Sequence, residues 1–209
     1  MAKQGKIWRL EHLFVSDLTV LILAAGSSSR LGQSKQLVKF EGQSLLQRTA
    51  AIALTCSEKV AVVLGSQFDL HQKDIAQLPV AIIQNTEWQK GMGSSLKVGM
   101  QKILSLWPAT TEIIVLVCDQ PRVTSELMQR LIDRSHHSIK QAICCSYQNT
   151  LGVPALFKKE MFPHLLQVSD SEGAKKLIQQ NPDKVDSVQF EGGKLDIDTP
   201  EDLQQITLD

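Results

Sequence analysis

The chain has no excess of either charge: 22 Lys and Arg residues face 22 Asp and Glu residues within 209. Nucleic-acid and membrane-surface binders are skewed toward basic residues, so the balance argues against both partners and requires any anion site to be local. Cysteine is sparse. Cys56, Cys118, Cys144 and Cys145 show no Cys-x-x-Cys spacing, and an adjacent pair makes a poor disulfide framework, so a reducing cytoplasm is the expected compartment. No apolar run approaches the ~20 residues of a membrane span. The N-terminus starts basic, but Arg9, Glu11, His12 and Asp17 interrupt it before it reaches signal-peptide length. Repeats, low-complexity tracts and an obvious linker are missing as well. His136 and His137 lack metal-ligand spacing, and no Ser-His-Asp set can be argued from His12, His71 or His164.

What remains is an ordinary globular composition, 43% hydrophobic and 21% charged. Short apolar runs alternate with amphipathic segments, which is the pattern of a mostly parallel sheet covered by helices on both faces, an α/β Rossmann-like fold. Strands are expected at Val20–Ala24, Val60–Leu64, Val80–Ile83 and Ile113–Cys118, all rich in Val, Ile and Leu. Helices are expected at Ser44–Thr55, Asp69–Gln77, Ser94–Leu106 and Ser125–Arg134. Ala142–Tyr147 and Val153–Phe157 lie too close for a helical crossover and read as an antiparallel or mixed extension. Helices near Lys159–Leu166 and Gly173–Gln180, a strand at Val185–Phe190 and a helix from Pro200 complete the pattern. Residues 1–18 read as an arm, docked through Trp8, Leu10 and Phe14 or loose, and 19–209 as one domain with a substrate-facing insertion at about 149–181.

Ligands of open parallel sheets bind beyond the carboxyl ends of the strands, so residues that follow strands are the candidates. The first strand runs through Leu23, Ala24 and Ala25 into Gly26, Ser27, Ser28, Ser29, Arg30, Leu31 and Gly32, with Lys35 three residues further. Such a loop exposes backbone N–H groups and adds fixed positive charge, which suits a polyphosphate. A Walker A loop has four residues between its glycines and Lys directly after the second; here five residues separate Gly26 from Gly32, and the G-x-G-x-x-G spacing does not fit either. Cations inside the loop suggest charge neutralisation during chemistry. The bland alternative is a solvated loop with scattered cations.

Asp119 ends the run Ile113 to Cys118 and precedes Gln120 and Pro121. It faces the same crevice and suits Mg²⁺, which takes one or two carboxylates plus phosphate oxygens; a turn-capping Asp set by Pro121 is the alternative. In Asp196-Ile197-Asp198-Thr199-Pro200-Glu201-Asp202, alternate carboxylates share a face and could complete a metal site, or Asp198 or Thr199 could cap the last helix. Gly91, Met92, Gly93, Ser94 and Ser95 open a helix. Their glycines allow close backbone approach to a base or ribose, with simple N-capping by Ser94 as the alternative.

Taken in order and spacing, LAAGSSSRLGQSK, GMGSSLKVG, VCDQP, GVPALF and DIDTPEDL resemble the nucleotidyltransferases that make dinucleotide forms of the molybdenum cofactor, above all the cytidylyltransferases among them. The likeness runs from about Thr19 to Leu203. It implies a glycosyltransferase-A-like fold and transfer of CMP from Mg-CTP, with Mn²⁺ as a possible substitute, to the phosphate of molybdopterin. The Leu23–Gly32 loop and Lys35 would bind the nucleotide, with Arg30 and Lys35 on the phosphates as catalytic cations. Asp119 and Asp198 would hold the metal, with Asp196 a weaker candidate. Gly91 to Ser95 would line the base and ribose, and Gln120, Pro121, Gly152, Pro154 and Phe157 the pterin side. A recipient molybdoenzyme is the further partner implied.

Guanylyltransferase relatives usually carry Leu-Ala-Gly-Gly and Gly-Asp-Met-Pro where this chain has Leu-Ala-Ala-Gly and Cys-Asp-Gln-Pro, which favours CTP over GTP, the Ala25 methyl narrowing the base pocket. One departure concerns the acceptor. Family members commonly show Gly-Asp-x-Gly-Ala where this chain has Asp170-Ser171-Glu172-Gly173-Ala174, the acidic residue displaced by one. Two other readings remain: transfer to a sugar or polyol phosphate, and a non-catalytic nucleotide or cofactor delivery module, against which Arg30, Lys35 and Asp119 together argue.

Overall fold

A computed structural model describes residues 17–207. The expected N-terminal arm lies outside the described residues up to position 16, and β1 begins at Leu18. A seven-stranded sheet runs in the order β5-β4-β1-β6-β8-β7-β9. Its strands are β1 (Leu18–Ala24), β4 (Val60–Leu64), β5 (Ala81–Gln84), β6 (Glu112–Val117), β7 (Ala142–Tyr147), β8 (Thr150–Lys158) and β9 (Val185–Gln189). Only β8 runs against the rest, pairing antiparallel with both β6 and β7. Strand order reverses at β1, since the chain goes from β1 to β4 on one side and returns to β6 on the other. That reversal opens a crevice at the carboxyl ends of β1 and β6.

Helices α1 (Leu45–Leu54), α2 (Phe68–Asp74), α3 (Met92–Leu106), α4 (Ser125–His137), α5 (Phe162–Gln167), α6 (Ala174–Gln180) and α7 (Pro200–Thr207) complete the chain. The core divides according to the two-residue period of the strands. Val20, Ile22 and Ala24 of β1 point to the face covered by α1 and α4, and Leu21 and Leu23 to the face covered by α3, α5 and α6. Both faces are therefore apolar, which explains why the parallel strands read as continuous runs of Val, Ile and Leu. Among the described residues, no helix is long and apolar enough to cross a membrane.

Observed boundaries stay close to the expected ones, with one addition. A hairpin of β2 (Lys39–Phe40) and β3 (Gln43–Ser44) turns through Glu41 and Gly42, both at positive φ. Two-residue strands carry too little periodicity to be read beforehand. The segment 149–181 divides: β8 is an inner strand of the sheet, α5 packs on α3, α6 packs on β8, and residues 169–172 lie against the start of α3.

Gly99 explains the last glycine of the GMGSSLKVG run. A Cβ there would come within 2.7 Å of Leu21 Cδ1 and 2.9 Å of Val63 Cγ2, so α3 lies directly on β1 and β4. We expect Gly99→Val to cost about 1–3 kcal/mol by overpacking; urea unfolding at neutral pH measures it, and an unchanged midpoint would contradict this packing.

Candidate active site

Three segments far apart in sequence meet at the crevice. β1 delivers the loop 25–35, β6 delivers Asp119, and a small apolar cluster of Leu31, Leu45, Leu195 and Ile197 holds the C-terminal segment beneath the loop. The Ile197 N–H donates to the Asp119 carbonyl at 2.8 Å, which locks that segment to the end of β6. Thr199 and Asp202 then form a capping box: the Asp202 carboxylate accepts from the Thr199 N–H at 2.8 Å, and the Asp202 N–H points back to Thr199 Oγ1 at 3.4 Å. Thr199 is thus the cap, and Asp198 is left to face the loop.

The charged groups at the centre are paired with one another. Lys35 Nζ lies 2.7 Å from Asp119 Oδ2 and 2.7 Å from Asp198 Oδ1, and Arg30 Nη2 lies 2.9 Å from Asp198 Oδ2. The Lys35 side chain is only 15% exposed, whereas that of Arg30 is 74% exposed. Burial works against the Lys35 charge, but the two adjacent carboxylates outweigh it and hold the ammonium above its ordinary range. Asp119 Oδ1 is buried with no hydrogen-bond partner, an acceptor left for a cation or a donor.

Gly26, Ser28, Ser29, Arg30, Lys35, Ile197 and Asp198 line a cavity of about 130 Å³. No main-chain hydrogen bond among the described residues engages the N–H groups of Gly26 to Arg30, and Gly26, Ser27, Ser29 and Arg30 are exposed. Ser28 takes a left-handed backbone at φ 56° and Gly32 at φ 73°, which turns the loop back on itself. Leu23, Ala24 and Ala25 have buried side chains, so their approach to a ligand is through the main chain, and the Ala25 methyl, expected to narrow a base pocket, packs in the core instead.

Gln36, which carried no signal in the sequence reading, organises this loop. Fully buried, it donates from Nε2 to the carbonyls of Ala24 (3.1 Å) and Gly26 (2.8 Å), and its Oε1 accepts from Ser28 Oγ (3.1 Å) and Ser34 Oγ (2.9 Å). A buried amide after Lys35 could have been noticed only by asking where loop carbonyls find donors.

The GMGSS segment is explained largely by packing. Gly91, not Ser94, is the N-cap of α3. A Cβ on Gly93 would meet the carbonyls of Ser169 and Glu172 at 1.9 and 2.3 Å, and one on Gly91 the Asp170 carbonyl at 2.6 Å, so both glycines admit the 169–172 loop. Ser94 and Ser95 are buried, and buried Asn85 donates to both hydroxyls at 2.9 and 3.0 Å. Met92 stays half exposed. Asp170, the displaced acidic residue, pairs with Lys97 at 2.5 Å, and that ammonium's hydrogen bond holds its carboxyl below the ordinary range.

On the other flank, Gln120 and Pro121 are buried beside Asp119, with Gln120 Oε1 also lacking a partner. Gly152 packs against the Tyr147 hydroxyl, where a Cβ would come within 2.5 Å, and Tyr147 stands edge-on to Phe190. Phe157 is not brought to the crevice. Because β8 runs antiparallel, Phe157 pairs with Ile113 near the start of β6 and is a fully buried core residue, while Gly152 and Pro154 lie toward the Asp119 end. Asp196 is an exposed residue, yet the atoms around its carboxyl partly desolvate it and, with the Asp119 charge, push it up to about 6, against a hydrogen bond from Gln120.

Such a site, positive donors and paired carboxylates at the switch point of a mostly parallel sheet, defines a nucleotidyltransferase. Residues 20–185 match the family described as MobA-like NTP transferase domain. The chain belongs to that family. It is 26% identical over 200 residues to a probable molybdenum cofactor guanylyltransferase of a Nostoc species, covering 92% of this chain and 91% of the relative. It is 25% identical over 192 residues to the molybdenum cofactor cytidylyltransferase of Escherichia coli, with 90% and 95% covered. A nicotine blue oxidoreductase of Paenarthrobacter nicotinovorans is 29% identical, with 90% and 96% covered. Among solved structures, Rv0371c of Mycobacterium tuberculosis superposes with a TM-score of 0.79 at 25% identity over 94% of this chain and all of that one. A manganese complex of the same mycobacterial protein gives 0.73 at 24% identity, over 91% and 97%.

The raised Asp196 carboxyl carries a pH prediction. The folded chain holds this proton more tightly than the unfolded chain does, so the group favours folding at low pH, and its contribution is lost as pH rises from about 4 through about 6. We expect Asp196→Asn to gain stability relative to the parent at pH 7 but not at pH 4.5, by on the order of 1 kcal/mol after solvent screening. Urea midpoints at the two pH values test it; an equal difference at both would refute the assignment.

Proposed function

We propose that this chain transfers CMP from CTP to the phosphate of molybdopterin in a divalent-metal-dependent reaction that releases pyrophosphate. The observation that carries the reading is the contact of Lys35 with both Asp119 and Asp198 beneath the open N–H groups of the glycine loop. A binding loop alone has no use for two partly buried carboxylates on its lysine. The relatives supply the acceptor class, and the CTP choice rests on the sequence motifs Leu23-Ala24-Ala25-Gly26 and Cys118-Asp119-Gln120-Pro121, since cytidylyl- and guanylyltransferases of this cofactor are about equally similar to the chain.

A divalent cation suits the donor set. Asp119 offers a buried oxygen without a partner, and Asp198 converges from the other side. Mg²⁺ or Mn²⁺ takes one or two such carboxylates together with substrate phosphate oxygens. A manganese complex of a fold relative accords with this. When bound, such an ion supplies Lewis-acid polarisation of the phosphates.

The chain's own groups do the rest. The loop N–H groups and Ser28 and Ser29 orient the triphosphate, and Lys35 and Arg30 turn from the carboxylates to the phosphate oxygens. An acceptor phosphate oxygen then attacks the α-phosphorus in line. The bond to the β-phosphate oxygen breaks, and Lys35 and Arg30 stabilise the charge that grows on the leaving pyrophosphate. The reacting oxygen is already an anion near neutral pH, so positioning and screening matter more than a strong base. The pairing of Asp170 with Lys97 favours a second reading, a sugar or polyol phosphate as acceptor, because the acidic residue expected on the acceptor side is engaged elsewhere.

Pyrophosphate release is the direct test, with CTP or GTP, Mg²⁺ or Mn²⁺, and molybdopterin or a sugar phosphate. We expect release with CTP and molybdopterin. Equal turnover with GTP would refute the base assignment, and release only with a sugar or polyol phosphate would select the second reading. Lys35→Ala should lose on the order of 10²-fold or more in turnover; near-normal turnover would show that Lys35 does not act on the phosphates.

A further inference from the structure

The structure contains a buried polar chain that the catalytic reading does not use. His71, on α2, is only 1% exposed. Its Nε2 lies 2.7 Å from Ser34 Oγ, Ser34 Oγ donates to Gln36 Oε1 at 2.9 Å, and Ser28 Oγ donates to the same oxygen at 3.1 Å. Ser28 Oγ in turn accepts the Lys35 N–H at 3.1 Å. The bond directions are assigned from the Gln36 amide outward. Gln36 Nε2 faces two carbonyls and its oxygen two hydroxyls, so the amide has one orientation. Since Ser34 spends its proton on Gln36, it accepts from His71, and the imidazole carries its proton on Nε2. His71 Nδ1 is buried without a hydrogen-bond partner of good geometry. Burial pushes the imidazole below its ordinary pKa, against the nearby Asp74 charge and the Ser66 backbone, which keeps it neutral at neutral pH.

A fully buried histidine is costly unless it does something a Leu could not. Packing alone would be served by an apolar side chain in α2, whose neighbours at this point include α1 and the turn around Lys35. The polar chain links that rigid helix to the loop. Gln36 pulls the Ala24 and Gly26 carbonyls inward, which leaves the loop N–H groups facing the cavity, and Ser28 is held in its left-handed conformation next to Lys35.

We propose that His71 and Gln36 are positioning residues that hold the 25–35 loop in its triphosphate-binding shape through the chain His71, Ser34, Gln36, Ser28. The inference rests on the reading of this loop as the nucleotide site. It gives α2, which carries no group assigned to the chemistry, a part in nucleotide affinity, and it separates that part from the cations that touch phosphate.

The test measures affinity for α,β-methylene CTP with Mg²⁺ by calorimetry, alongside the KM for CTP, the KM for the acceptor and the melting temperature. Losing one hydrogen bond of this chain should weaken triphosphate binding about five- to tenfold. His71→Leu is expected to do so while the acceptor KM stays within about twofold, and His71→Gln, whose amide N–H reaches toward Ser34, should restore most of the affinity. Ser34→Ala breaks the same link at a partly exposed position, so the test survives if His71→Leu does not fold. Unchanged triphosphate affinity in Ser34→Ala, or equal losses in His71→Gln and His71→Leu, overturns the proposal. Lys35→Ala distinguishes the two levels: if it leaves affinity intact, the loop is not the nucleotide site and both readings fall, whereas if it weakens binding and Ser34→Ala does not, only the positioning role falls.

Discussion

One ammonium group ties this structure together. Lys35 meets carboxylates that lie 84 and 163 positions away in sequence, and each of the three elements that carry them is held by its own packing. The two carboxylates hold the mostly buried ammonium in its charged form, and taking one partner away would leave the others uncompensated. The arrangement is balanced in a second sense. Lys35 and Arg30 offset Asp119 and Asp198, so a dication and a polyanion entering together can take over these partners, the dication on the carboxylates and the phosphates on the cations. Local balance of this kind is consistent with a chain whose overall charge is zero.

Around that centre the architecture separates rigid support from exposed reactive surface. β1 is buried on both faces and ends in a loop whose N–H groups are open, because the carbonyls that would otherwise compete for space are drawn to Gln36. α3 lies close on the sheet through Gly99 and receives the 169–172 loop through Gly91 and Gly93. The flank proposed for the acceptor is built from β8 and the 145–152 hairpin, where Tyr147 packs against Phe190, Gly152 and Gly193. Burial also explains the inert cysteines: Cys118 and Cys144 have thiols pushed up to about 12, and no disulfide joins any of the four.

Elements with strong periodicity were legible in advance. The doubly buried strands of the sheet and the amphipathic α1, α3 and α4 fall within a few residues of the expected spans, and Asp119 and Asp198 stand beside Lys35 and Arg30 as their positions after strands suggested. What escaped has physical reasons. The β2–β3 hairpin is too short for a period. Phe157 sits in GVPALF next to crevice residues, yet an antiparallel strand carries it to the far end of the sheet. The glycines of GMGSS open space for the chain's own 169–172 loop, and no spacing rule distinguishes a backbone neighbour from a ligand. Gln36 carried no signal, and His71 belonged to no Ser-His-Asp set, because the contacts that give them a part are made across distant segments.

The sequence by itself determined the alternation of strand and helix, the loop with its two cations, the absence of a membrane-spanning run and the carboxylates that follow strands. Each of these is a local property, set by side-chain period, turn chemistry and charge within a few residues. Only the tertiary structure decided that the cations and carboxylates neutralise each other, that Thr199 caps α7 and so leaves Asp198 to face the loop, and that a buried histidine on α2 reaches that loop through Ser34 and Gln36. Those outcomes depend on which distant segments share a small buried volume, where an unpaired polar group is costly and the nearest partner, however far along the chain, must satisfy it.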